Sequence, residues 1–183
     1  MMIQQIFKAW GIDFPENDLA EIYLTEYLGE KFPSKSFLID LFPKPIEVEF
    51  AYKFDQIEDE DYLEVCKRTY KVLKKLWVND EVYFYSHLLW ERPRFKKWFC
   101  ADFWRARKIF RSSDCCVKNE KHLRLLMKLS RKNVIDLVLV LVNTRIVIEP
   151  SWFCFFLFSE KDANVSLVKS IVESEGLFLR DFS

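Results

Sequence analysis

The sequence predicts an α+β fold, an antiparallel or mixed sheet of five to six strands with helices packed against it. Three observations lead there. Residues Ile46–Phe54 alternate apolar Ile46, Val48, Phe50, Tyr52 and Phe54 with Glu47, Glu49, Ala51 and Lys53, the period of a strand with one buried face. Residues 59–77 instead repeat apolar side chains every three or four positions, the period of a helix. The C-terminal third holds Val-, Ile- and Phe-rich segments separated by turns as short as Asn143-Thr144. Connections that short favour antiparallel neighbours, because a parallel crossover needs about a dozen residues or more.

In chain order, Met2–Trp10 is expected as a short helix and Asp18–Leu28 as a second, closed by Gly29. Phe32–Pro45, with three prolines, is expected as an irregular connection carrying a short apolar stretch at Phe37–Phe42. After the 46–54 strand, a helix opens at Asp59–Asp61 and runs to Trp77. Leu63, Cys66, Tyr70, Leu73 and Trp77 form its core stripe, and Lys71, Lys74 and Lys75 suit its C-terminal dipole. Asn79-Asp80 then turns into a strand over Glu81–Trp90. Pro93–Arg111 follows as a basic aromatic helix, then a loop at Ser112–Asn119 and a helix over Glu120–Leu129. Strands are expected at Asn133–Val142, Arg145–Ile148 and Trp152–Phe158, with Asn143-Thr144 and Glu149-Pro150-Ser151 as turns. Ala163–Glu175, stopped by Gly176, is the last helix, and Leu177–Phe182 an edge strand. The 183 residues are expected to form a single domain over 1–183, with a helical N-terminal portion of about 1–44 packed on the sheet.

Composition narrows the functional classes. Only three glycines occur, Gly11, Gly29 and Gly176, so no Gly-rich loop of the dinucleotide or Walker kind is present. The start Met1–Lys8 lacks the basic, apolar and small-residue regions of a secretory signal. With five cysteines at irregular spacing, the expectation is a cytoplasmic protein with reduced thiols. Val134–Phe158 is apolar enough to raise the question of a membrane span. Asp136, Arg145 and Glu149 interrupt it, and each charge costs about 2.5–3.5 kcal/mol at a bilayer centre. No membrane partner is therefore expected. The formal net charge is zero but segregated: residues 1–64 carry 15 acidic and 5 basic side chains, residues 65–132 carry 6 and 19.

Catalytic and metal motifs are weak. His87 on its strand lacks a marked nucleophile or carboxylate partner, and a packed or surface histidine accounts for it. Cys115 and Cys116 with His122 lack the usual zinc spacing, although Arg111, Lys118 and Lys121 would favour a thiolate. No catalytic residue, metal site or cofactor is assigned. Two charged surfaces remain. Glu47, Glu49, Glu58, Asp59, Glu60 and Asp61 form an acidic tract that can imitate phosphate charge towards a cationic partner. Arg94, Lys96, Lys97, Arg105, Arg107 and Lys108, interleaved with Phe95, Trp98 and Trp104, offer the alternative of nucleic-acid binding. The same helix also reads as one buried on its aromatic side, with Phe95, Phe99, Phe103, Ala106 and Phe110 on one face.

A small, Gly-poor chain rich in Trp and Phe, with an acidic region and no catalytic motif, resembles bacterial immunity proteins of contact-dependent growth inhibition systems. Glu47–Trp90, with its strand, acidic helix start and Asn79-Asp80-Glu81-Val82 entry, carries that resemblance over about a quarter of the chain. It implies neutralisation of a cognate toxin, a nuclease above all, by tight binding without enzymatic activity. No family residue is carried over; the acidic tract is the expected partner surface on charge alone.

Overall fold

The computed structural model describes residues 3–12, 24–43, 59–78, 80–88, 100–110, 115–131, 135–150 and 154–181. Its centre is a strand whose two faces are both apolar. In Ile135–Leu141 every residue but Asp136 is buried. Leu137, Leu139 and Leu141 face one hydrophobic cluster, and Val138 and Val140 face another. Successive side chains of a strand point to opposite sides, so such a run requires cover on both.

The described elements are α1 (Ile3–Ala9), α2 (Leu24–Lys31), β1 (Ser36–Asp40), α3 (Asp59–Trp77), β2 (Val82–Leu88), α4 (Cys100–Phe110), α5 (Glu120–Arg131), β3 (Ile135–Leu141), β4 (Ile146–Pro150), β5 (Phe155–Ser159), α6 (Asp162–Ser174) and β6 (Phe178–Asp181). The six strands form one sheet in the order β2-β3-β4-β5-β1-β6, and every pairing is antiparallel. The expected α+β class, with a sheet of five to six strands, is therefore the class observed.

Ile3, Ile6, Phe7, Trp10, Ile12 and Leu28, from α1, its exit and α2, cover Val138, Val140, Val147 and Phe158 on one face. On the opposite face α3, α4, α5 and α6 bury Leu73, Leu76, Ile109, Leu126 and Val172 against Leu139, Ile148 and Leu157. One residue of register slip in β3 would exchange the Leu and Val sets between layers of different shape.

Several local devices fix this arrangement. Asn119 accepts a hydrogen bond from His122 N–H at 3.1 Å, an N-cap for α5 with Glu120 at the first helical position. Gly176, at φ 71°, ends α6 with Gly176 N–H to Glu173 C=O at 2.9 Å and Leu177 N–H to Val172 C=O at 3.2 Å. These bonds, with buried Leu177 beside Val172, make a Schellman closure. The β3–β4 turn is held from outside by Asp80. Its carboxylate accepts from Asn143 N–H at 2.8 Å, Thr144 N–H at 2.9 Å and the Thr144 hydroxyl at 2.6 Å. The α3–β2 connection is thereby tied to the central hairpin.

Three expectations need correction. Ser36–Asp40, inside the stretch expected to be irregular, is an interior strand between β5 and β6. Pro33 and Pro43 flank it rather than interrupt it, so its ladder keeps its N–H groups. Gly29 does not end α2, which continues to Lys31; Phe32 N–H still bonds the Leu28 carbonyl at 2.8 Å. Pro150 belongs to β4, opposite Phe155, rather than to a turn. The described β3 pairing stops at Ile148, so Pro150 stands at the end of the strand, beyond that ladder. The strand expected at Ile46–Phe54 lies outside the described residues. Among the described residues no helix is long and apolar enough to cross a membrane. The apolar 134–158 region forms β3, β4 and β5 instead.

Leu139→Ala, deep in the centre, should lower unfolding free energy by about 2–5 kcal/mol. Asp80→Ala should cost about 1–3 kcal/mol through the lost turn bonds, both read from urea denaturation midpoints.

Candidate functional site

The sequence-derived site residues fall in different parts of the molecule. Glu47, Glu49 and Glu58 lie outside the described residues. Asp59, Glu60 and Asp61 open α3, but their side chains are outside what is described. Arg94, Lys96 and Lys97 also lie outside. Arg105 and Lys108 are exposed on α4, as is Trp104 at 58%, while Ala106 and Ile109 face the core. Arg107 is on the same helix, with its side chain not described. His87 sits on β2 in register with Asp136.

Cys115 and Cys116 have a structural place. Phe84 N–H bonds the Cys115 carbonyl, and Val117 N–H bonds the Val82 carbonyl, each at 2.8 Å. This short segment covers the outer edge of β2, which otherwise ends the sheet. Cys66, Cys115, Cys116 and Cys154 are thiols. Among the described residues no group of three or more His, Cys, Asp or Glu is placed to hold a metal.

A concave site lies elsewhere, between α3 and α5. It is an open cavity of about 480 Å³ over Pro150 at the end of β4 and Phe155 at the start of β5. That size falls within the range of about 300–1,000 Å³ typical of small-molecule pockets. Its origin is the helical repeat of α3. Thr69, Val72, Leu73 and Leu76 turn to the core, buried Val65 borders the cavity, and the Thr69 hydroxyl satisfies itself on the Val65 carbonyl at 2.9 Å. Leu63, Cys66 and Tyr70, expected as core, stand about one position round the helix and form the cavity wall. Leu63 is 39% exposed as a result.

The rim is cationic and regular. Lys67, Lys71 and Lys74 on α3, and Arg124, Lys128 and Arg131 on α5, have the same i, i+4, i+7 spacing, which sets each trio on one helix face. Glu120 is the acid in this lining. It accepts from Arg124 at 2.8 Å and from Lys74 at 3.2 Å, bridging the two helices. These bonds, Arg124 first, then Lys74 and the Tyr70 hydroxyl, hold the Glu120 carboxyl below the ordinary carboxylate value. Burial pushes the Tyr70 hydroxyl up, partly offset by the Arg124 guanidinium, whose Nε donates to it at 3.3 Å. Arg124 also lies 5.3 Å from the Tyr70 ring centre, within cation–π range.

Around the site, acids are shared. Glu175 meets Lys75 at 2.6 Å and Lys71 at 3.5 Å, tying α3 to the end of α6. Asp102 meets Lys128 at 2.5 Å and Arg105 at 3.9 Å, and Glu64 meets Lys67 and Arg68, both at 3.5 Å. Each carboxylate serves two cations, so the helical layer stays positive. Arg131, half-buried at the end of α5, has no ion pair among the described residues.

The cavity was missed in the sequence because Lys71, Lys74 and Lys75 also fit a helix dipole. The available signal was the repeated spacing Lys67, Lys71, Lys74 and Arg124, Lys128, Arg131 on two separate helices.

Glu64, Glu120 and Glu175 all have folded pKa values below the ordinary 4.5. Their stabilisation is fully present above that value and is lost as pH falls through the lower folded values. Glu175→Gln, which removes the α3–α6 bridge, should therefore lower the urea midpoint at neutral pH and leave it little changed well below pH 4.5. An equal loss at both pH values would show that the carboxylate charge is not what matters there.

Comparison of the chain with models of known protein families, with curated proteins and with solved structures gave no match.

Proposed function

We propose that this protein is an immunity-type binding protein that neutralises a cognate bacterial toxin, a nuclease above all, by holding its acidic tract against the toxin's cationic surface. The observation that supports this reading is how the charges are distributed. Residues 1–64 carry 15 acidic and 5 basic side chains, and Glu47, Glu49, Glu58, Asp59, Glu60 and Asp61 crowd into one short stretch of them. Clustered carboxylates speed association with a basic surface and select against acidic competitors. In this reading the protein acts in the cytoplasm by occupation of a surface, without chemistry of its own.

A second reading is favoured by α4. Trp104, 58% exposed, stands beside exposed Arg105 and Lys108, a cation–aromatic arrangement suited to stacking on a nucleic-acid base.

The two readings separate in one experiment, capture of partners on the tagged protein followed by separate identification of protein and nucleic acid. A toxin partner whose affinity falls at least about tenfold on Glu47→Lys, Glu49→Lys and Glu58→Lys together, with the thermal midpoint retained, supports the first. Unchanged affinity in that variant removes it. Nucleic acid released by modest salt, and lost on Arg105→Ala with Lys108→Ala, would move the function to α4.

A further inference from the structure

We infer that the cavity between α3 and α5 is a binding site for a small amphipathic anion, an organic carboxylate or phosphate monoester carrying an aromatic or branched apolar body. This goes beyond the toxin reading and does not depend on it, since the residues it uses, from Leu63 on α3 to Arg131 on α5, are not those of the acidic tract.

The apolar half of the argument is the wall itself. Leu63, Cys66 and Tyr70 from α3 face Met127 from α5, above Pro150 and Phe155. The core already has its own stripe on α3 in Val72, Leu73 and Leu76. The wall is a second apolar surface on an otherwise charged helix, open to the cavity. Burying such a surface against a ligand body removes apolar area from water and favours binding.

The charged half is the rim. Among the described residues, six cations surround the opening against the one carboxylate of Glu120. Glu120 is already shared between Lys74 and Arg124, so it does not neutralise the site. Lys128 is drawn to Asp102 and Lys71 to Glu175. Arg131 has no acid among the described residues and stands half-buried on the same face of α5 as Arg124 and Lys128. A guanidinium in that position offers a planar, bidentate donor set that fits a carboxylate or phosphate. The ligand's head belongs at Arg131 and its body over Met127 and Cys66. The partial enclosure strengthens that ion pair relative to open water.

The test uses the whole chain and four probes: naphthoate, naphthyl phosphate, the neutral naphthyl methanol, and inorganic phosphate. Binding is followed by calorimetry, with mass-spectrometric readout of maleimide labelling at Cys66 in the cavity wall. Saturable binding of one or both naphthyl anions is expected, at least about tenfold tighter than the neutral analogue or inorganic phosphate. The bound anion should slow Cys66 labelling, and Arg131→Gln should weaken binding by about tenfold, with partial rescue by Arg131→Lys. Preference between the two anions identifies the head group. Because Arg131 makes no ion pair in the described fold, the variant should keep the thermal midpoint of the parent. The inference is overturned by any of three results: equal binding of the neutral probe or inorganic phosphate, Arg131→Gln without effect, or no saturable anion binding.

Discussion

The rest of the fold depends on the burial of β3 and β4 from both sides. Leu139 and Ile148 are paired neighbours on one face, Val140 and Val147 on the other, and all four are at most 1% exposed. A sheet so apolar on both faces cannot leave either to water, so each demands a helical layer. Phe7, Trp10 and Leu28 meet the demand on the Val face, with Phe7 and Trp10 packed edge to face at 5.3 Å. The Leu and Ile face is larger and takes four helices. Strand order follows from the same constraint. β3, β4 and β5, the most apolar strands, occupy the middle, while β2 and the four-residue β6 take the edges.

The four-helix layer is held by apolar contact below and by shared carboxylates above. Glu120 joins α3 to α5, Glu175 joins α3 to α6, and Asp102 joins α4 to α5. These pairs are solvated and each is worth little alone. Their value is positional, because each fixes the spacing of two helices whose lower faces are already committed to the core. With 13 Lys and Arg against 8 Asp and Glu in these four helices, the layer carries a net positive charge. The cavity between α3 and α5 lies within that layer. α3 gives one shoulder to the core and a second to the cavity, and its first turn holds Asp59, Glu60 and Asp61.

Much of this architecture could be read from the residues. The bounds of α3, the N-terminal signal Asn119-Glu120, the stop at Gly176 and the edge strand after it follow from local chemistry that tertiary context did not override. β1 could not be read that way. Its five residues are too few for a period, and the prolines around them suggest a loop until Phe155–Phe158 provides a partner strand. The α3 stripe shows the same limit. Leu63, Cys66 and Tyr70 satisfy a helical repeat as well as Thr69, Val72 and Leu76 do, and only the position of the sheet and α5 separates them.

The sequence by itself determined the fold class, the positions of most helices and strands, and the division of charge along the chain. These depend on periodicity, capping and turn chemistry, which act over a few residues. Tertiary structure decided which apolar face became core and which became cavity, and which lysines were paired. It also decided that cations at matching spacings on two distant helices would surround one opening. Those outcomes depend on contacts between residues such as Lys74 and Glu120, 46 positions apart. No local pattern specifies them, because the free energy of such a contact exists only once the sheet has brought the two helices together.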